Sequence, residues 1–216
     1  MDMIYIAIPT YDYRIDVRIA GAICEAMVKL SQRGVALSIG AVGGCSLIVN
    51  ARNELVAKFM ATHCSYLLFV DSDLIFSGDA IVRAYESMKH TDVFAGCYPQ
   101  RKQPITFRAS GLGPLDSSTG LMPIERAPGG FMMVPRHILQ NLWDHYPKIT
   151  NSATGSEVSM IFSHVLTDEG HLGEDYVFCD RIREAGYSIH TDPGLQFGHV
   201  GLEVFRGRLI DTVGRQ

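Results

Sequence analysis

Apolar residues along this chain fall into two alternating kinds of segment. Short, nearly continuous apolar runs at 4–8, 35–39 and 66–70 read as strands, the last apolar throughout as a strand covered on both faces must be. Between them, 15–30 and 47–61 carry apolar positions at helical spacing, and 78–88 repeats it before a further strand at 92–97. The first run ends at Pro9, the first helix near Gly34, and the second strand at the turn Gly40-Ala41-Val42-Gly43-Gly44. This alternation predicts an α/β fold: a right-handed, mostly parallel sheet with helices on both faces.

The pattern changes after Tyr98. Residues 99–128 are rich in Pro, Gly and Ser, with short strand candidates at 105–108 and 121–126. A buried strand is expected at 129–134 and a helix at 136–143. Residues 144–171 show weak periodicity and many polar positions, which suggests long functional loops or a lid. A helix at 173–185, stopped by Gly186, precedes short strands at 189–191 and 195–199. There is no internal repeat.

Composition narrows the classes. With 216 residues, 47% of them hydrophobic, the chain can bury a sizeable core as one domain. A formal net charge of −4 gives no electrostatic case for nucleic acid. The five cysteines (Cys24, Cys45, Cys64, Cys97, Cys179) are odd in number and form no C-x-x-C, which points to a reducing compartment. The start Met1-Asp2-Met3 lacks a basic n-region, and no run approaches ~18 apolar residues. Neither a signal peptide nor a membrane span is expected, and the location read from this is cytoplasmic.

The sharpest chemical feature is Asp71-Ser72-Asp73, directly after the apolar run 66–70. Ligands collect at the carboxyl ends of parallel strands, and two adjacent carboxylates repel unless a cation holds them. Hard oxygen ligands suit a divalent ion shared with phosphates; an ordinary capping turn is the plainer alternative. Arg52 lies on the apolar stripe of its helix with Ile48, Leu55, Val56 and Phe59, so it needs a carboxylate or a phosphate. Its partner is either Asp71 or Asp73 in a structural pair, or a ligand. In the last helix Asp175 precedes the inward residues Phe178, Cys179 and Ile182 at helical spacing and so points to the core, beside Glu174. One of these two acids suffices for helix capping; the other is a candidate for chemistry. His199, between Gly198 and Val200-Gly201, is a weaker candidate by itself.

No G-x-G-x-x-G, P-loop, H-E-x-x-H or G-x-S-x-G is present. In order, however, the pieces resemble a nucleotide-sugar glycosyltransferase of the GT-A fold. Asp71-Ser72-Asp73 resembles its D-x-D, Gly173-Glu174-Asp175-Tyr176 its late G-E-D helix, and Gly198-His199-Val200-Gly201 its terminal metal-binding histidine. Ile8-Pro9-Thr10-Tyr11 resembles the uridine-side loop. The run Val49-Asn50-Ala51-Arg52-Asn53-Glu54-Leu55 looks most like a small chlorella-virus-encoded glycosyltransferase of capsid glycans.

The resemblance implies a single GT-A domain over 1–216, with a nucleotide-binding half (1–98) and an acceptor-side half (99–216). It implies a UDP-sugar donor, a glycan or glycoprotein acceptor, and Mn²⁺, with Mg²⁺ as the alternative. Asp73 and His199 would hold the metal, and Asp71 the ion or the ribose, with Ser72 between. Pro9, Thr10 and Tyr11 would line the uracil pocket, and Arg52 would meet ribose or diphosphate. Gly129 and Gly130 would admit the transferred sugar. Asp175, with Glu174 near it, would act on the acceptor hydroxyl or the reacting sugar. Two other classes stay open: a metal-dependent phosphatase using Asp71 and Asp73, and a non-catalytic nucleotide- or carbohydrate-binding module.

Overall fold

The computed structural model describes every residue except 152, 153, 169, 202 and 213–216. In chain order the first part runs β1 (Met3–Pro9), α1 (Val17–Ser31), β2 (Ala36–Val42), α2 (Ile48–Met60), β3 (Tyr66–Val70), β4 (Leu74–Ile75), α3 (Gly78–Ser87) and β5 (Val93–Ala95). Then follow β6 (Met122–Ile124), β7 (Phe131–Pro135), α4 (Arg136–His145), the pairs β8 (Lys148–Thr150) with β9 (Glu157–Ser159) and β10 (Val165–Thr167) with β11 (Gly170–Leu172), α5 (Glu174–Glu184), β12 (Ile189–Thr191), β13 (Gln196–Val200) and β14 (Val204–Arg208).

The period-2 alternation of the strands decides which helix goes where. Ile4, Ile6 and Ile8 of β1 face one side with Leu68, Val70, Phe131 and Met133, where Ile19, Ile23 and Leu30 of α1 and Ile81 of α3 cover them. Tyr5 and Ala7 face the other side with Leu67, Phe69, Met132 and Val134, under Leu55 and Phe59 of α2, Leu139 of α4 and Phe178 of α5. The main sheet has the order β2-β1-β3-β7-β5-β12-β6. Strands β1, β2, β3, β5 and β12 share one direction, while β7 and β6 oppose it. The expected α/β class, with a mostly parallel sheet flanked by helices, is what the chain adopts.

Three expectations need correction. The strand at 92–97 does not extend the parallel run beside β3, because β7 inserts antiparallel between them. The candidate at 105–108 supplies only an isolated bridge, Pro99 to Phe107. Residues 144–171, apart from 152, 153 and 169, which lie outside the described residues, are not plain loop: they carry the tail of α4 and two short hairpins. Those strands escaped notice because β8 and β10 are exposed at every position and so show no alternation.

The reversal of β7 positions the site. Its first residue, Phe131, pairs with Val70, so Gly129 and Gly130 arrive beside Asp71, whose amide donates to the Gly130 carbonyl at 2.8 Å. A second small sheet, β14-β13-β4, sets His199 opposite Leu74, and the Val200 amide donates to the Asp73 carbonyl at 2.9 Å.

Helix α1 packs on the start of α3, where Gly78 has no room for a side chain. A Cβ there would lie 2.7 Å from Glu25 Cβ and 2.8 Å from the Ala26 amide nitrogen. Gly21, on the exposed side of α1, has nothing within 4 Å of such a position. Gly78→Ala is therefore expected to destabilise by about 1–3 kcal/mol through overpacking, and Gly21→Ala to stabilise by roughly 0.5–1 kcal/mol through helix propensity. Urea midpoints at constant slope measure both; equal signs would refute this account of the α1–α3 contact.

Candidate functional site

The carboxyl ends of β1 and β3 and the start of α2 enclose a cleft of about 260 Å³. Pro9, Thr10, Tyr11, Asp71, Ser72 and Asp73 line it, six residues singled out in the sequence. Cys45, Ser46, Ile48 and Ala51 complete the wall without a signal in the sequence; Ile48, on the apolar stripe of α2, is exposed at its first turn. The loop after β1 is held in place by backbone contacts. The Thr10 amide donates to Val42 O at 2.9 Å, the Gly44 amide to Tyr11 O at 3.0 Å, and the Asp16 amide to Ser72 O at 3.2 Å. Thr10 Oγ1 donates to Arg14 O at 2.9 Å. The Tyr11 ring is left 75% exposed. Helix α2 begins at Leu47 with no side-chain cap and no acid in its first turn, so its positive end meets the cleft uncompensated.

Beneath the cleft lies Arg52, 3% exposed. Its Nη2 donates to Asp71 Oδ1 and Oδ2 at 3.2 and 3.4 Å, and its Nε stands 3.8 Å from Glu174 Oε1. The guanidinium carbon sits 5.6 Å from the centroid of Phe69 and 5.8 Å from that of Phe162. The charge is thus paired from both sides within an aromatic cage. Of the two partners open to Arg52, the structure forms the carboxylate pair. Arg52 lies in the floor beneath the residues that line the cleft, and its Nε and Nη1 have no hydrogen-bond partner. Gly129 and Gly130 change meaning with it. A Cβ at 129 would collide with Arg52 Nη1, and one at 130 would lie 2.5 Å from both Asp71 Oδ2 and the Tyr98 hydroxyl. Their bareness admits these protein groups.

Tyr98, which the sequence reading passed over, joins the two ends of the site. Its hydroxyl reaches Asp71 Oδ2 at 3.5 Å and accepts from the Gly130 amide at 3.2 Å, and its ring meets His199 edge-on at 5.1 Å. Burial holds its pKa well above the usual phenol value.

Asp73 and His199 meet, with Oδ1 to Nε2 at 3.7 Å. His199 Nδ1 lies 2.9 Å from the Pro99 carbonyl, which can only accept, so the ring proton belongs on Nδ1. Burial lowers the His199 pKa, with Arg101 adding to the shift, so the ring is neutral and Nε2 turns a lone pair toward a carboxylate. Two facing electron-rich atoms, one imidazole backed by a carbonyl, form a donor set that fits a divalent cation. Asp71 is engaged by Arg52 and Tyr98 instead. Among the described residues, no three His, Cys, Asp or Glu side chains gather as one metal-holding group, so the expected trio of Asp71, Asp73 and His199 assembles as a pair. The second oxygen of Asp73 takes the Arg101 guanidinium. Arg101 gave no sequence signal, being one polar residue in a Pro-rich loop.

At the start of α5, Asp175 Oδ1 accepts from the Tyr176 amide at 2.9 Å. Burial first, and then the adjacent Glu174, raise its pKa, with Arg52 opposing. Asp71, Glu174 and Asp175 therefore share the field of one cation.

No protein-family model matches the chain, and no curated protein matches it in sequence. Among solved structures it is similar to A197 from STIV, with a TM-score of 0.54 at 15% identity over 93% of this chain and 86% of that one. At that identity the likeness is one of fold. Weaker matches include S. aureus TarS 1–349 in complex with UDP-GlcNAc, at TM-score 0.49 and 12% identity over 88% of this chain and 56% of that one. Another is the nucleoside-diphosphate-sugar pyrophosphorylase from Vibrio cholerae RC9, at 0.43 and 10% over 86% and 90%.

Removing the cation beneath the cleft leaves two half-buried carboxylates, Asp71 and Glu174, without their counter-charge. Arg52→Ala is expected to cost about 3–5 kcal/mol, and Arg52→Lys less but still more than ~1 kcal/mol, since lysine lacks the fork that spans Asp71 and Glu174. Guanidinium unfolding of the two variants tests this; a loss below ~0.5 kcal/mol for Arg52→Ala would mean that the pair does not hold the floor.

Proposed function

We propose that this chain is a metal-dependent glycosyltransferase of the GT-A kind, moving a sugar from a UDP-sugar to a glycan or glycoprotein acceptor. The observation that carries the reading is the pairing of Asp73 with a neutral, carbonyl-backed His199 at the mouth of a cleft whose wall is the uncapped start of α2. A diphosphate there would face the positive end of a helix and a bound cation together. Asp73 and His199 would hold the ion, with Mn²⁺ favoured over Mg²⁺ by the imidazole. The ion supplies positive charge against the leaving diphosphate. Pro9 and Thr10 would border the uracil, and the exposed Tyr11 ring offers it a stacking face. Asp71, oriented by Arg52 and Tyr98, would meet the ribose, and Asp175 would act on the acceptor hydroxyl. A role on viral capsid glycans rests on the run 49–55 alone, and a cytoplasmic setting on the five unpaired thiols.

The phosphatase alternative asks Asp71 to attack as a nucleophile, yet both its oxygens face Arg52 and one also faces the Tyr98 hydroxyl. The binding-module alternative leaves Asp175 without a purpose. A largely buried acid with a raised pKa costs stability at neutral pH, which catalysis accounts for and simple binding does not.

Thermal shift with UDP and Mn²⁺ tests the class. A ligand at ~100 times its dissociation constant adds roughly 2.7 kcal/mol, on the order of 5–10 °C for a chain of this size. EDTA should remove the shift, and Asp73→Asn should abolish it in a folded protein. UDP affinity indifferent to EDTA and to this substitution would end the metal reading.

For Asp175→Asn the sign follows from the raised pKa. The native carboxyl favours folding in acid, and that contribution is lost as pH rises from about 3.9, its unfolded value, through its folded value. The Asn variant should match the native chain at low pH and exceed it in Tm at pH 7. UDP-sugar affinity should stay within a few-fold while turnover falls ~10²–10⁴-fold. Retained turnover would remove Asp175 from the mechanism and leave Glu174.

A further inference from the structure

Asp73 has two oxygens and two very different neighbours. Oδ1 faces His199 Nε2, and Oδ2 is held by Arg101 Nη2. Arg101 is the one full cation paired with Asp73 among the described residues. Its side chain is 45% exposed, unlike that of Arg52. The segment that carries it is tied to the metal-facing histidine itself, because Pro99 O accepts from His199 Nδ1. The Gln100 amide donates to Thr106 O at 2.8 Å, which fixes the base of the loop. The arginine stem crosses Gly201, where a Cβ would stand 3.2 Å from Arg101 Cδ. Backbone on both sides of the side chain is thus anchored, while the guanidinium reaches over the rim to the carboxylate.

A divalent cation between Oδ1 and His199 Nε2 would draw on the same carboxylate charge that holds Arg101 at Oδ2, and so would weaken that pair. A half-exposed ion pair is the kind that exchanges at little cost, whereas a buried one such as Arg52–Asp71 is not. Once released, a guanidinium at this rim is two-pronged, permanently charged and matched to phosphate oxygens. We infer that Arg101 is an exchangeable counter-ion: it neutralises Asp73 in the empty enzyme and passes to the donor's diphosphate when a divalent cation and the nucleotide take the cleft. The inference rests on the nucleotide-sugar reading of this site and adds a residue and an order of events to it. Its consequence is linkage: the cation alone binds weakly because Arg101 already neutralises Asp73, and nucleotide strengthens it by giving Arg101 somewhere to go.

The test is titration calorimetry on the full chain, using Mn²⁺ alone and then UDP at saturating Mn²⁺, for native protein, Arg101→Gln and Arg101→Lys. Circular dichroism checks that all three fold. Arg101→Gln should bind Mn²⁺ alone about 3–10-fold more tightly and UDP about 10-fold more weakly. Mn²⁺–UDP synergy should shrink accordingly. Arg101→Lys should keep Mn²⁺ affinity near native while losing part of the UDP affinity, since charge remains and the fork does not. If the native chain binds Mn²⁺ and UDP but Arg101→Gln binds both as the native does, the exchange is refuted and the reading of the cleft stands. If no variant binds either ligand, the reading of the cleft fails, and the exchange with it.

Discussion

One buried charge organises this molecule. Arg52 sits where the acidic turn after β3, the bend before β7 and the first turn of α5 converge, and it cannot be there unpaired. Satisfying it requires Asp71 and Glu174 to approach from segments far apart in the chain. It also requires residues 129 and 130 to be glycine, since a side chain at either would occupy the guanidinium's or the carboxylate's space. Phe69 and Phe162 close the remaining faces. The distance between the two acidic ends of the site is therefore set by a single planar cation rather than by loop conformation, which is how a site is made rigid before anything binds.

The site also divides by solvent. Below are Arg52, Tyr98 and the glycines, buried and mutually constraining. Above are Tyr11, Asp73 and Arg101, partly exposed and able to rearrange without disturbing the core. Tyr98 touches both layers, with its hydroxyl at Asp71 and its ring at His199. A fold that fixes a carboxylate from beneath keeps its buried ion pair apart from the half-exposed one at the rim, and the second is the cheaper of the two to break.

Much of this was legible in the residues. Strand β3 was read to its ends because complete burial leaves an unbroken apolar run, and Arg52 stood out because a charge on an apolar stripe demands a partner. The acidic turn and the start of α5 were found by the same logic of position. What escaped had no such signature. Strand direction leaves no mark on hydrophobic pattern, so the reversed β7 could not be seen, nor its effect of bringing Gly129 and Gly130 to Asp71. Exposed strands such as β8 carry no periodicity. Arg101 and the Tyr98 hydroxyl make contacts that only the folded chain creates, and the protein neighbours of the glycine pair come from segments far away in sequence.

The place of β7 in the sheet has a consequence for how the chain acquires its structure. Strand β5 is made early, but both its partners, β7 and β12, come later in the sequence. As the chain emerges from the ribosome, β2, β1 and β3 can pair by short crossovers, while the outer edge of β3 and both edges of β5 wait open. Closure is then a long-range event, slow by its topology and exposed to edge-to-edge misassociation until it occurs. Because β7 directly follows Gly129 and Gly130, the floor of the cleft forms as β7 closes the gap between β3 and β5: nascent chains that have not closed that gap also lack the floor of the site.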